Sequence, residues 1–224
     1  MRSAAVVCLA SLLAYGTANA QATEAILRNR AAAAAIPDGK MPESDRGRLT
    51  ARAFADCLAK RKPVWVDRLL GASNDISDRM IARADMSECL AGGSLRFQPN
   101  LLRGALFGAE FRSTFGGSAV AVTGLEDPAI VYPAGLEKFS PLWIADCAVR
   151  KDASSVRRIL ISSPAAEENN AAYGALTPAL KDCITPGLTL RFSKATIDGY
   201  LAEALYRRTA AAAGAASTGQ GTGK

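Results

Sequence analysis

The sequence spells Ala-Asp-Cys twice, as "ADCLAKRK" at residues 55–62 and as "ADCAVRKD" at residues 145–152. Each copy continues with a small or apolar pair and then two basic residues. The match extends outward. Residues 54–70, "FADCLAKRKPVWVDRLL", align with 144–160, "IADCAVRKDASSVRRIL", at an offset of 90. Ala55, Asp56, Cys57, Val66, Arg68 and Leu70 meet identical residues there. Downstream, "CLAGGSLRFQPNLLRGALFGAEFR" (89–112) aligns with "CITPGLTLRFSKATIDGYLAEALYR" (183–207), with one extra residue near Leu188. Cys89, Gly93, Leu95, Arg96, Phe97, Gly104, Leu106, Ala109 and Arg112 again meet identical partners. Order and spacing both hold, which predicts an old duplication. The period exceeds that of a usual solenoid unit, so the expectation is two tandem, pseudo-symmetric modules.

The cysteines take their meaning from the N-terminus. Met1-Arg2 is a short positive start, Ala4 to Ala14 is apolar, and Ala18-Asn19-Ala20 is a small-x-small cleavage site. This pattern reads as a signal peptide over residues 1–20. Cys8 falls inside its apolar stretch. The apolar stretch is too short for a permanent anchor, and no later segment reads as a transmembrane span. The expected location is periplasmic or secreted. Export leaves Cys57, Cys89, Cys147 and Cys183, an even number in an oxidising compartment, where disulfides are favoured over thiols. Each module carries one cysteine early and one late. A unit that duplicates whole should carry its own bond, so Cys57–Cys89 and Cys147–Cys183 are the expected pairs. A loop of roughly thirty residues is worth about 3–4 kcal/mol in the chain-entropy model. Such a staple matters to a module with a thin core.

Helical spacing dominates the rest, and the expected fold class is all-α or mostly α, each module being three or four short helices. Ser140-Pro141 is a helix start, with Leu142, Ile144, Cys147 and Ala148 following at helical spacing. Ser163-Pro164, with Glu167 and Glu168 behind it, is a second start. Thr177-Pro178 reads as a third. Ile76, Met80, Ile81 and Ala84 predict a buried stripe in the first copy. Ser193 can cap a last helix whose apolar face is Ile197, Tyr200, Leu201, Ala204 and Leu205, closed by Arg207 and Arg208. Leu-Arg-Phe before it reads as an extended connector. The resulting division is a signal peptide (1–20), an N-terminal arm (21–48), helical module 1 (49–112), a spacer loop (113–139), helical module 2 (140–208) and a disordered tail (209–224).

Composition excludes several chemistries. The chain has no histidine. That removes Ser-His-Asp and Cys-His catalysis, His-containing zinc sites and imidazole bases. No phosphate-binding, dinucleotide-binding, nucleophile-elbow or EF-hand motif is present. No catalytic residue, cofactor or metal is therefore expected. The net charge of +6 has no long basic run behind it; the densest cluster, Lys60, Arg61 and Lys62, reads as a solvated helix end rather than a nucleic-acid patch. Carboxylates remain. Asp56 and Asp146 each precede a cysteine, and two symmetric carboxylates could flank a glycosidic bond. An ion pair within each module, with Arg96 or Arg191, explains them more simply.

The A-D-C start, the later Cys and the closing "GYLAEALYR" (199–207) resemble secreted bacterial proteins of unknown function with paired cysteines in a duplicated helical module. The resemblance covers both modules and implies no activity. The expected function is an exported, non-enzymatic binding or structural protein of the bacterial cell envelope. Its partner would be an envelope protein or polymer. The alternative is a carboxylate-dependent hydrolase acting on envelope polysaccharide. Weak adhesion to anionic polymers is a third reading, prompted by the positive charge. Residues that only one copy carries are free to serve a partner. Trp65, which aligns with Ser155, and Phe115 and Tyr132 in the spacer are the candidate partner-binding residues. Conserved module geometry does not demand them. Unused long loops tend to be polar, whereas the spacer is fairly apolar, so it reads as a belt between modules or a docking surface.

Overall fold

The structure, a computed structural model, describes residues 41–90, 98–116, 132, 137–184, 187 and 192–219. The signal peptide, the arm up to residue 40, Arg96, Arg191, Leu190 of the Leu-Arg-Phe connector, most of the spacer and the last five residues lie outside them. The described residues form seven α-helices and one 3-10 turn, with no strand: α1 Glu43–Arg61, α2 Pro63–Gly71, α3 Asn74–Arg83, the turn Ser87–Cys89, α4 Pro99–Phe115, α5 Pro141–Ile161, α6 Glu167–Asp182 and α7 Lys194–Gly219. None of these helices is long and apolar enough to cross a membrane.

Local chemistry places the helix ends. Acidic Glu43 and Asp45 open α1, while Lys60 and Arg61 close it, as the helix dipole favours. The chain breaks at Lys62 (φ −133°, ψ 50°), and Pro63 restarts it at the first position of α2. In the second copy, α5 runs through with a kink at Asp152 (φ −150°, ψ 68°), the residue aligned with Lys62. The repeat thus carries its backbone break at equivalent positions. Ser140 caps α5 by accepting from the Trp143 N–H, with Pro141 next, as the sequence predicts.

α7 is the central element. It packs on α4 and α5; α6 covers α5, and α1 covers α4. Residues 201–205 of α7 are buried in succession, so this helix is covered nearly all round rather than on one face. Leu58, Val66, Leu69, Leu106, Phe107, Ile144, Val149, Leu176, Leu201 and Leu205 are the fully buried anchors of a single continuous core. Both expected disulfides are present, Cys57–Cys89 and Cys147–Cys183, with Cα–Cα distances of 5.7 and 5.9 Å.

α4 and α7 cross at Gly104 and Gly199, which are equivalent in the repeat. A Cβ on Gly104 would lie 2.3 Å from the Gly199 Cα. Only a glycine allows this approach. Equivalent residues also make reciprocal contacts: Arg112 Nη1 donates to the Leu160 carbonyl (3.4 Å) and Arg207 Nη2 to the Leu70 carbonyl (3.0 Å). Gly104→Ala must separate two central helices and should cost about 1–3 kcal/mol or more, read as a lowered denaturation midpoint. Gly174→Ala is the control, because an added Cβ there meets nothing within 4 Å. An unchanged midpoint for Gly104→Ala would contradict the close crossing.

Several boundaries differ from expectation. The arm, drawn to residue 48, ends at Pro42, because α1 already contains Arg48, which is buried. The spacer, drawn from 113, begins after Phe115, which still belongs to α4. In α3 the buried residues are Ser77 and Ile81, while Ile76 faces outward at 43% exposure. Ser77 is taken in because its hydroxyl donates to the Leu69 carbonyl and accepts from Arg103. Thr177-Pro178 starts no helix; it lies inside α6. The apolar period of Ala172 and Leu176 runs on across it. Beyond the proline, Ala179 and Leu180 still pack against the core, and the Thr177 hydroxyl donates to the Tyr173 carbonyl (2.9 Å). The tail, expected to be disordered from 209, is helical to Gly219. Arg207 and Arg208 do not end α7, because the alanines that follow are the best helix formers and Arg208 and Thr209 are buried.

Candidate functional site

Trp65 lies on α2, one residue before the buried Val66. Its counterpart Ser155 is buried and accepts from Arg158 (3.0 Å). Trp65 is instead half-buried: one edge of the indole packs on the core and the rest lines an open groove of about 750 Å³ between α2 and the end of α3. Met80 contributes a further apolar wall. Val64, where the second copy has Ser154, is 69% exposed beside it. The first copy therefore presents two apolar side chains where the second has serines.

The rim of the groove is cationic. Arg61, Lys62, Arg68 and Arg83 line it, against the single carboxylate of Asp85. Lys62 is committed, donating to the Asp85 carbonyl and lying 3.9 Å from Glu88. Asp85 is also committed: its carboxylate accepts from the backbone N–H of Ser87 (3.0 Å), which holds it below the usual range. Arg61, Arg68 and Arg83 are exposed and have no carboxylate partner among the described residues. An indole flanked by free guanidinium forks can stack on a flat or ring-shaped group and bind acid groups beside it.

The other two candidates lie elsewhere, and neither lines this groove. Phe115 is half-buried at the end of α4, its ring 5.8 Å from Phe111 and 6.0 Å from Tyr206. Tyr132 is buried, its hydroxyl donating to Asp146 Oδ1 (2.6 Å) and its ring 5.7 Å from the Arg207 guanidinium. Burial and that carboxylate push its hydroxyl pKa well up. At this point the spacer is tied to module 2.

Both carboxylates of the Ala-Asp-Cys motifs are ion-paired. Asp56 holds Arg112 (2.6 Å), and Asp146 holds Arg208 (2.7 and 2.8 Å). Each pair lies within its own module. The four cysteines are consumed by disulfides. Among the described residues, no group of three or more His, Cys, Asp or Glu side chains could hold a metal.

A third polar cluster escaped the sequence. Arg48, from the region read as an arm, donates to Asp198 (2.7 Å), Asn169 (2.9 Å) and the Pro164 carbonyl (3.2 Å). Burial opposes its charge, but Asp198 overcomes this and raises its pKa. Its main partners lie more than a hundred residues away, so no local pattern could reveal them. No family model, curated protein or solved structure matches this chain.

Proposed function

We propose that the protein is an exported, non-enzymatic binding protein of the bacterial cell envelope that holds an acidic polysaccharide on its Trp65 face. One observation carries this reading: a half-buried indole beside three exposed arginines that have no carboxylate partner among the described residues. The indole offers a face to a sugar ring, and the guanidinium groups take the carboxylates along the chain. Two disulfides agree with life outside the reducing cytoplasm. Asp56 and Asp146 serve as counter-ions to Arg112 and Arg208, so the hydrolase reading gains no support from them.

Polygalacturonate is a suitable probe, with dextran as the neutral comparator. Trp143→Phe leaves Trp65 as the sole tryptophan and makes its fluorescence a direct report. Binding should quench or shift that emission. It should weaken by about tenfold or more as salt rises through the range where surface charges become screened. Arg68→Glu should reduce binding with little change in melting temperature, since its side chain is exposed; Trp65→Ala should also reduce it, with some loss of stability because the half-buried ring packs on the core. Equal binding to dextran, or salt-independent binding, would reject the charge complementarity on which this reading stands.

A further inference from the structure

The Gly104–Gly199 crossing is flanked by two recesses, both lined by Leu101, Gly104 and Gly199. The repeat makes them comparable, and they differ in what fills them. The recess beside the start of α5 contains Tyr200 and Glu203, and Glu203 is paired with Arg103 (2.9 Å) and Arg207 (2.9 Å). The recess beside α1 is larger, about 550 Å³. In it, Ala105 stands where the second copy has Tyr200, and Gly108 stands where it has Glu203. One side of the crossing thus lacks the aromatic ring and the carboxylate that the other side carries. The volume lies within the roughly 300–1,000 Å³ usual for small-molecule sites.

Glu203 meets Arg103 and Arg207. Arg103 aligns with Asp198, so one of these cations has a counterpart here: Arg112 stands where the second copy has Arg207, with its Nη2 on Asp56 (2.6 Å). Its Nη1 lies 3.1 Å from where a Gly108 Cβ would sit, so it reaches into the vacated space. Arg52 also lines the recess, at the position where the offset of 90 places apolar Leu142. Its Nη1 and Nη2 donate to the carbonyls of Ser162 and Ile161 (2.5 and 3.1 Å). Those acceptors are uncharged, and the guanidinium keeps further N–H groups to spare. It has no carboxylate partner among the described residues. Burial and the neighbouring Arg112 push its pKa down to about 10; an anion placed here would oppose that shift. Glu43 and Asp198 line the recess too. Asp198 is occupied by Arg48 and by the Tyr173 hydroxyl. Ser44, Ser193 and Lys194 add polar groups to the lining, while Gly47, Ala51, Leu101 and Ala202 form an apolar stretch of the wall.

We propose that this recess is a binding site for a small amphipathic carboxylate, its acid group between Arg52 and Arg112 in the place of the Glu203 carboxylate and its apolar tail along Ala105 and Leu101 in the place of the Tyr200 ring. This site is separate from the Trp65 groove and stands or falls independently of it.

Titration calorimetry with dodecanoate tests the proposal on the full mature protein, with dodecanol and dodecyltrimethylammonium as neutral and cationic comparators. Dodecanoate should bind one to one, and both comparators about tenfold or more weakly, since a charge-assisted contact is missing or repelled. Three variants each install the residue of the other copy. Arg52→Leu should weaken dodecanoate by a similar factor. Ala105→Tyr should block the tail. Gly108→Glu should supply an internal carboxylate, abolishing binding while keeping or raising the melting temperature, because the only close neighbour of its Cβ is the movable end of Arg112. Melting temperatures identify any variant that fails to fold, and Gly108→Glu and Arg52→Leu then still decide. Failure of dodecanoate to bind, dodecanol binding equally well, undiminished binding by Gly108→Glu, or attachment only to phosphatidylglycerol vesicles would each overturn the assignment.

Discussion

Asp146→Asn is expected to destabilise the protein by about 3–5 kcal/mol, the cost of breaking a buried ion pair on one side. Asp146 is 2% exposed, as is Arg208. The carboxylate accepts from Arg208 Nε on one oxygen and Arg208 Nη2 on the other, in a fork-to-fork pair, and from the Tyr132 hydroxyl as well. Arg150 lies 3.3 Å away, close enough to add charge but off the line of a good hydrogen bond. An amide at this position removes the negative charge and turns an N–H group towards a guanidinium that has no route to water. For a chain of this size the loss corresponds to about 10 °C or more in melting temperature. The equivalent change in the first copy should be far milder. The Asp56 side chain is 37% exposed and its partner Arg112 is 16% exposed, so solvent and salt screen the pair. Asp56→Asn should cost about 1 kcal/mol or less. Chemical denaturation of the two variants side by side is the measurement. Equal losses would mean that the two motifs have equal burial, against the geometry described above.

That contrast bears on what the sequence could reveal. The Ala-Asp-Cys repeat, the cysteine pairing and the all-helical class were legible because each is written locally or twice. A duplicated cysteine needs no long-range knowledge to find its partner. The partners of Asp56 and Asp146 were not legible. Arg96 and Arg191 are shared by both copies, but the carboxylates are reached by Arg112 and Arg208, which come to them only once α4 and α7 have packed. Arg208 is not even the aligned counterpart of Arg112, so the repeat itself pointed to the wrong residue. The Arg48 cluster failed for a related reason: a basic residue in an Ala-rich approach reads as solvated until Asp198 is brought beside it. Thr-Pro is a sound start signal, yet Pro178 lies inside α6, because Ala179 and Leu180 beyond it still pack against the core.

Functional asymmetry was legible in principle and partly missed. Trp65 against Ser155 stood out because the substitution adds a large ring. Gly108 against Glu203 and Ala105 against Tyr200 did not, because small residues in a helix look like packing. They become informative only once their counterparts are seen filling a recess. Comparing the two copies position by position, inside the fold rather than along the chain, separates what builds the scaffold from what has been altered on it.

Cutting both disulfides should unfold the protein at ordinary temperature. The loops span 32 and 36 residues, and each bond contributes about 3–4 kcal/mol through the unfolded chain it restrains. Together they approach the whole 5–15 kcal/mol by which a typical domain is stable. The single removals should cost similar amounts but differ in where the damage falls. Cys147–Cys183 joins α5 to the end of α6, two helices already packed along their length. In Cys147→Ala/Cys183→Ala the helices stay together, and the loss is felt globally. Cys57–Cys89 joins α1 to the short turn Ser87–Cys89, which has no fully buried side chain. That turn is otherwise held by Lys62 reaching the Asp85 carbonyl, by local bonds from Asp85 and Ser87, and by the partly buried Met86 and Leu90 against the core. In Cys57→Ala/Cys89→Ala the segment from Ala84 to Leu90 should open locally before the rest unfolds. Hydrogen exchange reads the difference: protection lost at Cys89 and Leu90 in the first-copy variant, and a uniform drop across α5 and α6 in the second-copy variant. Melting of the fully reduced chain within a few degrees of the oxidised one would show instead that the helical core holds the fold without its staples.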